Sequence, residues 1–262
     1  TDDDGTPATG TATLTVTIAA TNDVPVLSGF TSPLNVAENV SGQVIDSDIS
    51  LSDIDSANLD TGTITVSGLD ADDVVSLASD TVAIGAIQLD SGNVQYSSNG
   101  STWTTVGTAT GGSSSTDFVI TLNDQATPAV AELIIEHLTF SNDDNTPTLA
   151  RTLSIVVTDG DGGTSVATEV VVNIAAANDT PTVTAEDAGT LTDTSADDTL
   201  NPLTGSIDAA DPETASGSLV YGISTGTTGG SYQYGDPAVT YDVSKSGTYG
   251  TLYVDSDTGA YV

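Results

Sequence analysis

Twice in this chain a run of alternating apolar and polar residues ends on nearly the same eight residues: "IAATNDVP" at 18–25 and "IAAANDTP" at 174–181. "TATLTVTIAA" (11–20) sets Leu14, Val16 and Ile18 at every second position, and "VATEVVVNIA" (166–175) sets Val170, Val172 and Ile174 in the same phase. Period-two alternation marks a half-buried β-strand, because successive side chains point to opposite faces. The proline closing each element fixes φ and has no N–H to donate to a ladder, so the chain leaves the strand extended. Each copy therefore reads as the last strand of one unit and the opening of the next. The expected organisation is a strand segment at 1–21, a complete unit at 22–177 and a further unit at 178–262, a repeat of domain scale.

The interior of the long unit has the same vocabulary. Strands are expected at 62–69, 83–90, 93–98, 101–108, 117–123 and 151–159, separated by Gly, Asn, Asp and Ser. Asn99-Gly100, between two such runs, is the letter pattern of a type I′ hairpin turn. One stretch departs from alternation: "TPAVAELIIEHL" (127–138) has a Thr at the N-cap position, a Pro at the first helical position, and Val130, Leu133, Ile134 and Leu138 spaced for one face. It predicts a short helix. Strands are expected in the last unit at 218–223, 231–235, 238–243 and along 247–262, with no closing strand resembling "EVVVNIA", so this unit is either incomplete or split by an insertion. The fold class that follows is all-β: tandem immunoglobulin-like β-sandwiches, the larger with a short helix.

Charge narrows the function. Acidic residues number 37 against 2 Lys or Arg, a formal charge of −35. Nucleic acid and anionic membrane surfaces are excluded as partners, since no basic surface exists to displace their counterions. No run of about 18 apolar residues is present to span a bilayer. The absence of cysteine suits a bacterial extracellular protein stiffened without disulfides. "TDDDGTPATG" at the start is no signal peptide, and the chain reads as an excerpt of something longer.

The acidic residues fall in sets. Asn22-Asp23 is followed by Glu38 in "VAENV" and by Asp53 and Asp55 in "SDIDSAN"; "TDGDGG" with Asp159 and Asp161 ends the same unit. Asn178-Asp179 is followed by Glu186 in "TAEDAG" and by Asp208, Asp211 and Glu213 in "DAADPETAS". Ca²⁺ takes six to eight oxygens at roughly 2.3–2.6 Å, drawn from carboxylates, Asn carbonyls and backbone carbonyls. A linker Asn-Asp, a nearby Glu and an Asp-x-Asp loop supply that mixture, with the Asp159–Asp161 loop either sharing the ion or holding its own. Acidic pairs such as Asp72-Asp73, Asp143-Asp144 and Asp197-Asp198 read as solvated turns. "GISTG" (222–226) matches a nucleophile elbow by letters but lacks the strand–turn–helix setting, and His137 is the sole histidine. No catalytic residues are assigned. Trp103 is expected in core or edge packing, and His137 as a helix-surface or half-buried residue.

The order of motifs "NDVPVLSGF", "VAENV", "DSDISLSDIDSANLDTGTITVSGL" and "FVITLNDQATPAVAELIIEHLTFSNDDNTPTLARTLSIVVTDGDGGTS" resembles a cadherin-like domain of the large bacterial repeats-in-toxin (RTX) adhesins over about 155 residues. Through "GSIDAADPETASGSLVYGI" and "YGTLYVDSDTGAYV", residues 178–262 resemble the VCBS-type repeat of the same adhesins. The resemblance implies type I secretion, a place on the bacterial cell surface, and tandem sandwiches rigidified by Ca²⁺ that hold an adhesive tip away from the cell in attachment and biofilm formation. It implies calcium ligands at Asn22, Asp23, Glu38, Asp53 and Asp55, and again at Asn178, Asp179, Glu186, Asp208 and Asp211, with Glu213 a substitute where "DAADPE" departs from a plain Asp-x-Asp. The expected partners are neighbouring domains of the same long chain, with a carbohydrate or protein ligand reached through an adjacent module. Two alternatives stay open: a domain that itself binds carbohydrate or peptide, and a non-catalytic module of a secreted polysaccharide-degrading enzyme.

Overall fold

The structure, a computed structural model, describes residues 11–17, 21–184, 187–214, 218–235 and 237–262. The fold is all-β with one short helix among the described residues. The strands begin with β1 (Val26–Ser28), β2 (Leu34–Ala37), β3 (Gln43–Val44) and β4 (Ser50–Ser52). Then come β5 (Thr63–Ser67), β6 (Asp73–Leu77), β7 (Ala86–Asp90), β8 (Asn93–Ser97), β9 (Thr104–Thr110) and β10 (Phe118–Leu122). Helix α1 (Pro128–Glu136) precedes β11 (Leu138–Asn142), β12 (Ala150–Val157) and β13 (Thr168–Ala175). The remainder holds β14 (Thr182–Thr184), β15 (Gly205–Ser206), β16 (Asp208–Ala210), β17 (Thr227–Tyr234), β18 (Val239–Ser246), β19 (Thr251–Val254) and β20 (Ala260–Tyr261). Among the described residues, no helix is long and apolar enough to cross a membrane.

Two compact units emerge. The first holds the described residues of Thr1–Ser32, Val44–Phe140 and Thr152–Val171; the second takes those of Pro33–Gln43, Ser141–Arg151 and Val172–Val262. In the first unit β12, β5, β10, β9, β8 and β7 follow one another in an antiparallel ladder. Alternation sets its core face: Ile64 and Val66 of β5, Ile120 of β10 and Ile155 and Val157 of β12 are all fully buried, while their neighbours in sequence are not. Phe140 and Leu138 of β11 are buried as completely.

Helix α1 forms where its local signals place it. The Thr127 hydroxyl accepts the Val130 N–H at 3.3 Å and Pro128 opens the first turn, so two of the orphan positions of a helix start are dealt with locally. Its buried residues are Val130, Ala131, Ile134 and Ile135; Leu133 is only half-buried, so the buried face is rotated from the expected one towards Ala131 and Ile135. Thr127→Ala is expected to cost about 1 kcal/mol, read as a lower urea midpoint.

The two-residue hairpin turn is not at Asn99-Gly100. Gly100 has φ +69°, but Asn99 is not among the residues of positive φ, and a type I′ turn needs both. The Asn99 carboxamide oxygen instead accepts the N–H groups of Ser101 (2.8 Å) and Thr102 (2.9 Å), which builds a longer loop. The turn with two positive φ values is Ser91-Gly92, at +52° and +82°, and it pairs Asp90 with Asn93. Asp73 is a second departure: it is fully buried and its carboxylate accepts the Asp70 N–H at 2.7 Å. It is not a solvated turn residue.

In the second unit β13 runs parallel to β2, with Val172 opposite Leu34 and Ile174 opposite Val36. β14 pairs with β16, and β15, β20, β19, β18 and β17 form an antiparallel sheet in that order. Among the described residues of 178–262, the buried apolar ones are Tyr241, Val243 and Val254. Val183, Leu191, Leu200 and Val220 stand exposed, so this stretch has a thin core. The strand expected at 218–223 is absent, and β17 begins earlier than its alternation suggested, across Gly229 and Gly230. Residues 11–17 form no strand; 18–20 lie outside the described residues.

Candidate metal centre

The two Asn-Asp elements build the same local structure. Asn22 donates its side-chain amide to the Asp23 carbonyl at 3.0 Å, and Asn178 does the same to Asp179 at 2.8 Å. The Asp23 N–H donates to Asp55 Oδ2 at 3.1 Å; the Asp179 N–H donates to Glu213 Oε2 at 2.9 Å. In turn Asp53 Oδ1 accepts the N–H groups of Asp55 and Ser56 (3.3 and 3.0 Å), as Asp211 Oδ1 accepts those of Glu213 and Thr214 (3.2 and 2.9 Å). The correspondence is residue for residue, and Glu213 occupies the place of Asp55. Each module thus fixes a linker aspartate by a loop carboxylate whose own loop is tied off by an aspartate two residues earlier.

What surrounds the modules differs. In the second unit Glu38, just past β2, donates its backbone N–H to the Ala175 carbonyl at 3.1 Å and is 1 % exposed. Its Oε1 accepts the Ala177 N–H at 2.8 Å; its Oε2 is buried with no hydrogen-bond partner. Asp179 repeats the arrangement: Oδ1 accepts the Asn39 side-chain amide at 3.2 Å, and Oδ2 is buried without a partner. One carboxylate oxygen from each of Glu38, Asp179 and Glu213 lies within 4.8 Å of the others. Loss of surrounding water, then the charges of Glu213 and Glu38, push the Asp179 carboxyl above its ordinary value.

In the first unit Asp159 is 1 % exposed and saturated by the chain itself. Burial alone would raise its pKa. The Asn22 amide (2.8 Å to Oδ2) and the N–H groups of Asp161 and Gly163 outweigh that and hold it low. Among the described residues of this unit, Asp53 Oδ2 and Ser56 Oγ are the buried side-chain polar atoms without a partner. Gly163 makes the approach possible: a Cβ on it would lie 2.1 Å from Asp159 Oδ2 and 2.8 Å from the Asp23 carbonyl oxygen. Gly163→Ala is therefore expected to cost about 1–3 kcal/mol in urea denaturation, as overpacking of a filled site does.

No protein-family model and no curated protein matches the chain.

The expected ligands are thus brought together in a different grouping from the sequence order. Asn22, Asp23, Asp53, Asp55 and Asp159 converge in the first unit, whereas Glu38 belongs with Asp179 and Glu213. Asp161 is exposed, and its backbone N–H rather than its carboxylate is the group that reaches Asp159. Asn178 and Asp211 support the second cluster through hydrogen bonds. Asp208 is exposed on β16, opposite Thr184, outside the cluster. Glu186 lies outside the described residues. Asn39 was not among the expected residues; its only sequence signal is its place directly after Glu38.

"GISTG" is followed by strand β17 rather than a helix, with the Ser224 carbonyl accepting the Lys245 ammonium at 2.8 Å. Trp103 is half-buried. His137 caps α1, with Nδ1 2.7 Å from the Leu133 carbonyl oxygen and Nε2 2.9 Å from Asp80.

Proposed function

We propose that this chain is a calcium-stiffened extracellular segment of a bacterial surface adhesin, one that spaces a binding tip from the cell. The observation carrying the proposal is that two of the three carboxylates gathered here, Glu38 and Asp179 beside Glu213, each keep a buried, unpartnered oxygen, Oε2 and Oδ2. A buried charged oxygen without a donor is costly, and a cation is the partner that three converging carboxylates accept together. All the donors are hard oxygens, with no histidine or cysteine near them, which favours Ca²⁺ over transition metals. Glu38, Asp179 and Glu213 would hold the ion, and Asn178 and Asp211 would brace its surroundings.

The mechanical consequence follows from chain separation. Glu38 and Asp179 stand far apart in sequence, and Glu213 lies beyond both. An ion binding all three removes freedom from the linker and neutralises their mutual repulsion, so the segment stiffens. The acidic surface, the absence of cysteine and the resemblance of the motifs to adhesin repeats support the extracellular placement. Small-angle scattering with calcium and with chelator tests the stiffening: a more extended, narrower distance distribution is expected with calcium, and identical curves would count against it.

A further inference from the structure

Among the described residues, one oxygen of each of the three gathered carboxylates accepts a hydrogen bond. For Glu38 and Glu213 the donor is a backbone N–H, from Ala177 and Asp179; for Asp179 it is a side chain, Asn39 Nδ2 at 3.2 Å from Oδ1. The backbone of Asn39 is itself fixed. Its φ is +59°, in the left-handed region that asparagine tolerates better than most residues, and its N–H donates to the Asn142 carbonyl at 2.8 Å. The side chain therefore leaves a tethered turn directly beside Glu38, which is buried and carries a partnerless Oε2 in the same cluster.

We propose that Asn39 is the positioning residue of this centre: by engaging Asp179 Oδ1 it commits the buried Oδ2 to the cation. The inference rests on the calcium reading above. Without the amide, Asp179 loses the side-chain donor that fixes which of its oxygens is engaged. A ligand not oriented in advance must be ordered when the ion arrives, which lowers affinity without altering the number of ligands. Asn39 needs no contact with the ion. Asparagine also suits both demands at once, since it adopts positive φ and offers an amide donor, whereas glycine meets only the first.

That difference supplies the test. Asn39→Gly keeps the backbone conformation and removes the donor. Ser91→Gly, at φ +52° in the Ser91-Gly92 turn, makes the same kind of backbone change outside the cluster. Calcium titration by calorimetry, well below each variant's melting temperature, is expected to show Asn39→Gly weakened about tenfold, at the lower end of what loss of a ligand-orienting residue costs. Ser91→Gly should bind as the wild type does, and the calcium-free melting temperatures of the two variants should fall together. Equal affinity of Asn39→Gly and wild type would overturn the role of Asn39 and leave the calcium reading standing. Failure of the wild type itself to bind calcium would remove both.

Discussion

Millimolar calcium is expected to raise the melting temperature of this chain by about 5–10 °C over the chelated protein, and Glu38→Gln is expected to lose most of that rise. A ligand at a hundredfold excess over its Kd stabilises by about 2.7 kcal/mol, and about 1 kcal/mol moves the transition of a protein of this size by roughly 2–4 °C. The substitution is chosen for its asymmetry. Glutamine keeps an oxygen to accept the Ala177 N–H, but replaces the partnerless Oε2 with an amide donor. That donor has an acceptor in the same cluster, Asp179 Oδ2, also partnerless. Without calcium, Glu38→Gln should therefore melt at or above the wild type; with calcium the order should reverse. A residue that merely fills space would give the same order in both conditions. The comparison is made by differential scanning calorimetry of both proteins in chelator and in calcium.

Phe140→Ala is expected to destabilise by about 3–5 kcal/mol, lowering the melting temperature by about 10 °C or more. Phe140 heads the fully buried side chains by size and is 0 % exposed, in β11 directly after the helix that buries Ile134 and Ile135. Removing the ring leaves a void that the sheet cannot close without moving β11. The loss should appear as a lower urea midpoint with an unchanged slope. In the second unit, Leu191→Ala, at a residue already 45 % exposed, should shift the midpoint by well under 1 kcal/mol. That contrast, a fully buried ring against a half-exposed leucine, would locate most of the stability of the chain in the first unit's core.

Features governed by neighbours in sequence were legible before the structure. Thr127-Pro128 carries its own instructions for a helix start, and the alternation of "RTLSIVV" and "EVVVNIA" assigns inward and outward faces without reference to a partner strand. Short strands such as β1, β3 and β4 carry too few residues for a period to show, and went unanticipated. Asn99-Gly100 misled because the same Asn that tolerates positive φ also caps backbone N–H groups, and here the Ser101 and Thr102 amides took it. Asp73 was concealed by its acidic neighbour Asp72, since two adjacent carboxylates read as surface while strand alternation turns one of them inward.

The candidate centre divides along the same line. Residue types and loop spacing pointed to the Asn-Asp elements, and the duplicated hydrogen bonding of Asp53-Asp55 and Asp211-Glu213 matches that spacing. The assignment of Glu38 was not legible, because it lies nearer in sequence to Asn22 than to Asp179, and its tie to Ala177 depends on the parallel pairing of β2 with β13. Sequence proximity and sheet topology gave opposite answers, and topology decided.

A crystal structure of the chain grown in calcium would decide whether the three carboxylates hold an ion. An ion is expected with oxygens at roughly 2.3–2.6 Å, Glu38 Oε2 and Asp179 Oδ2 among them, and Glu213 as a third carboxylate. Density showing those two oxygens bonded only to water, or to each other through a shared proton, would contradict it.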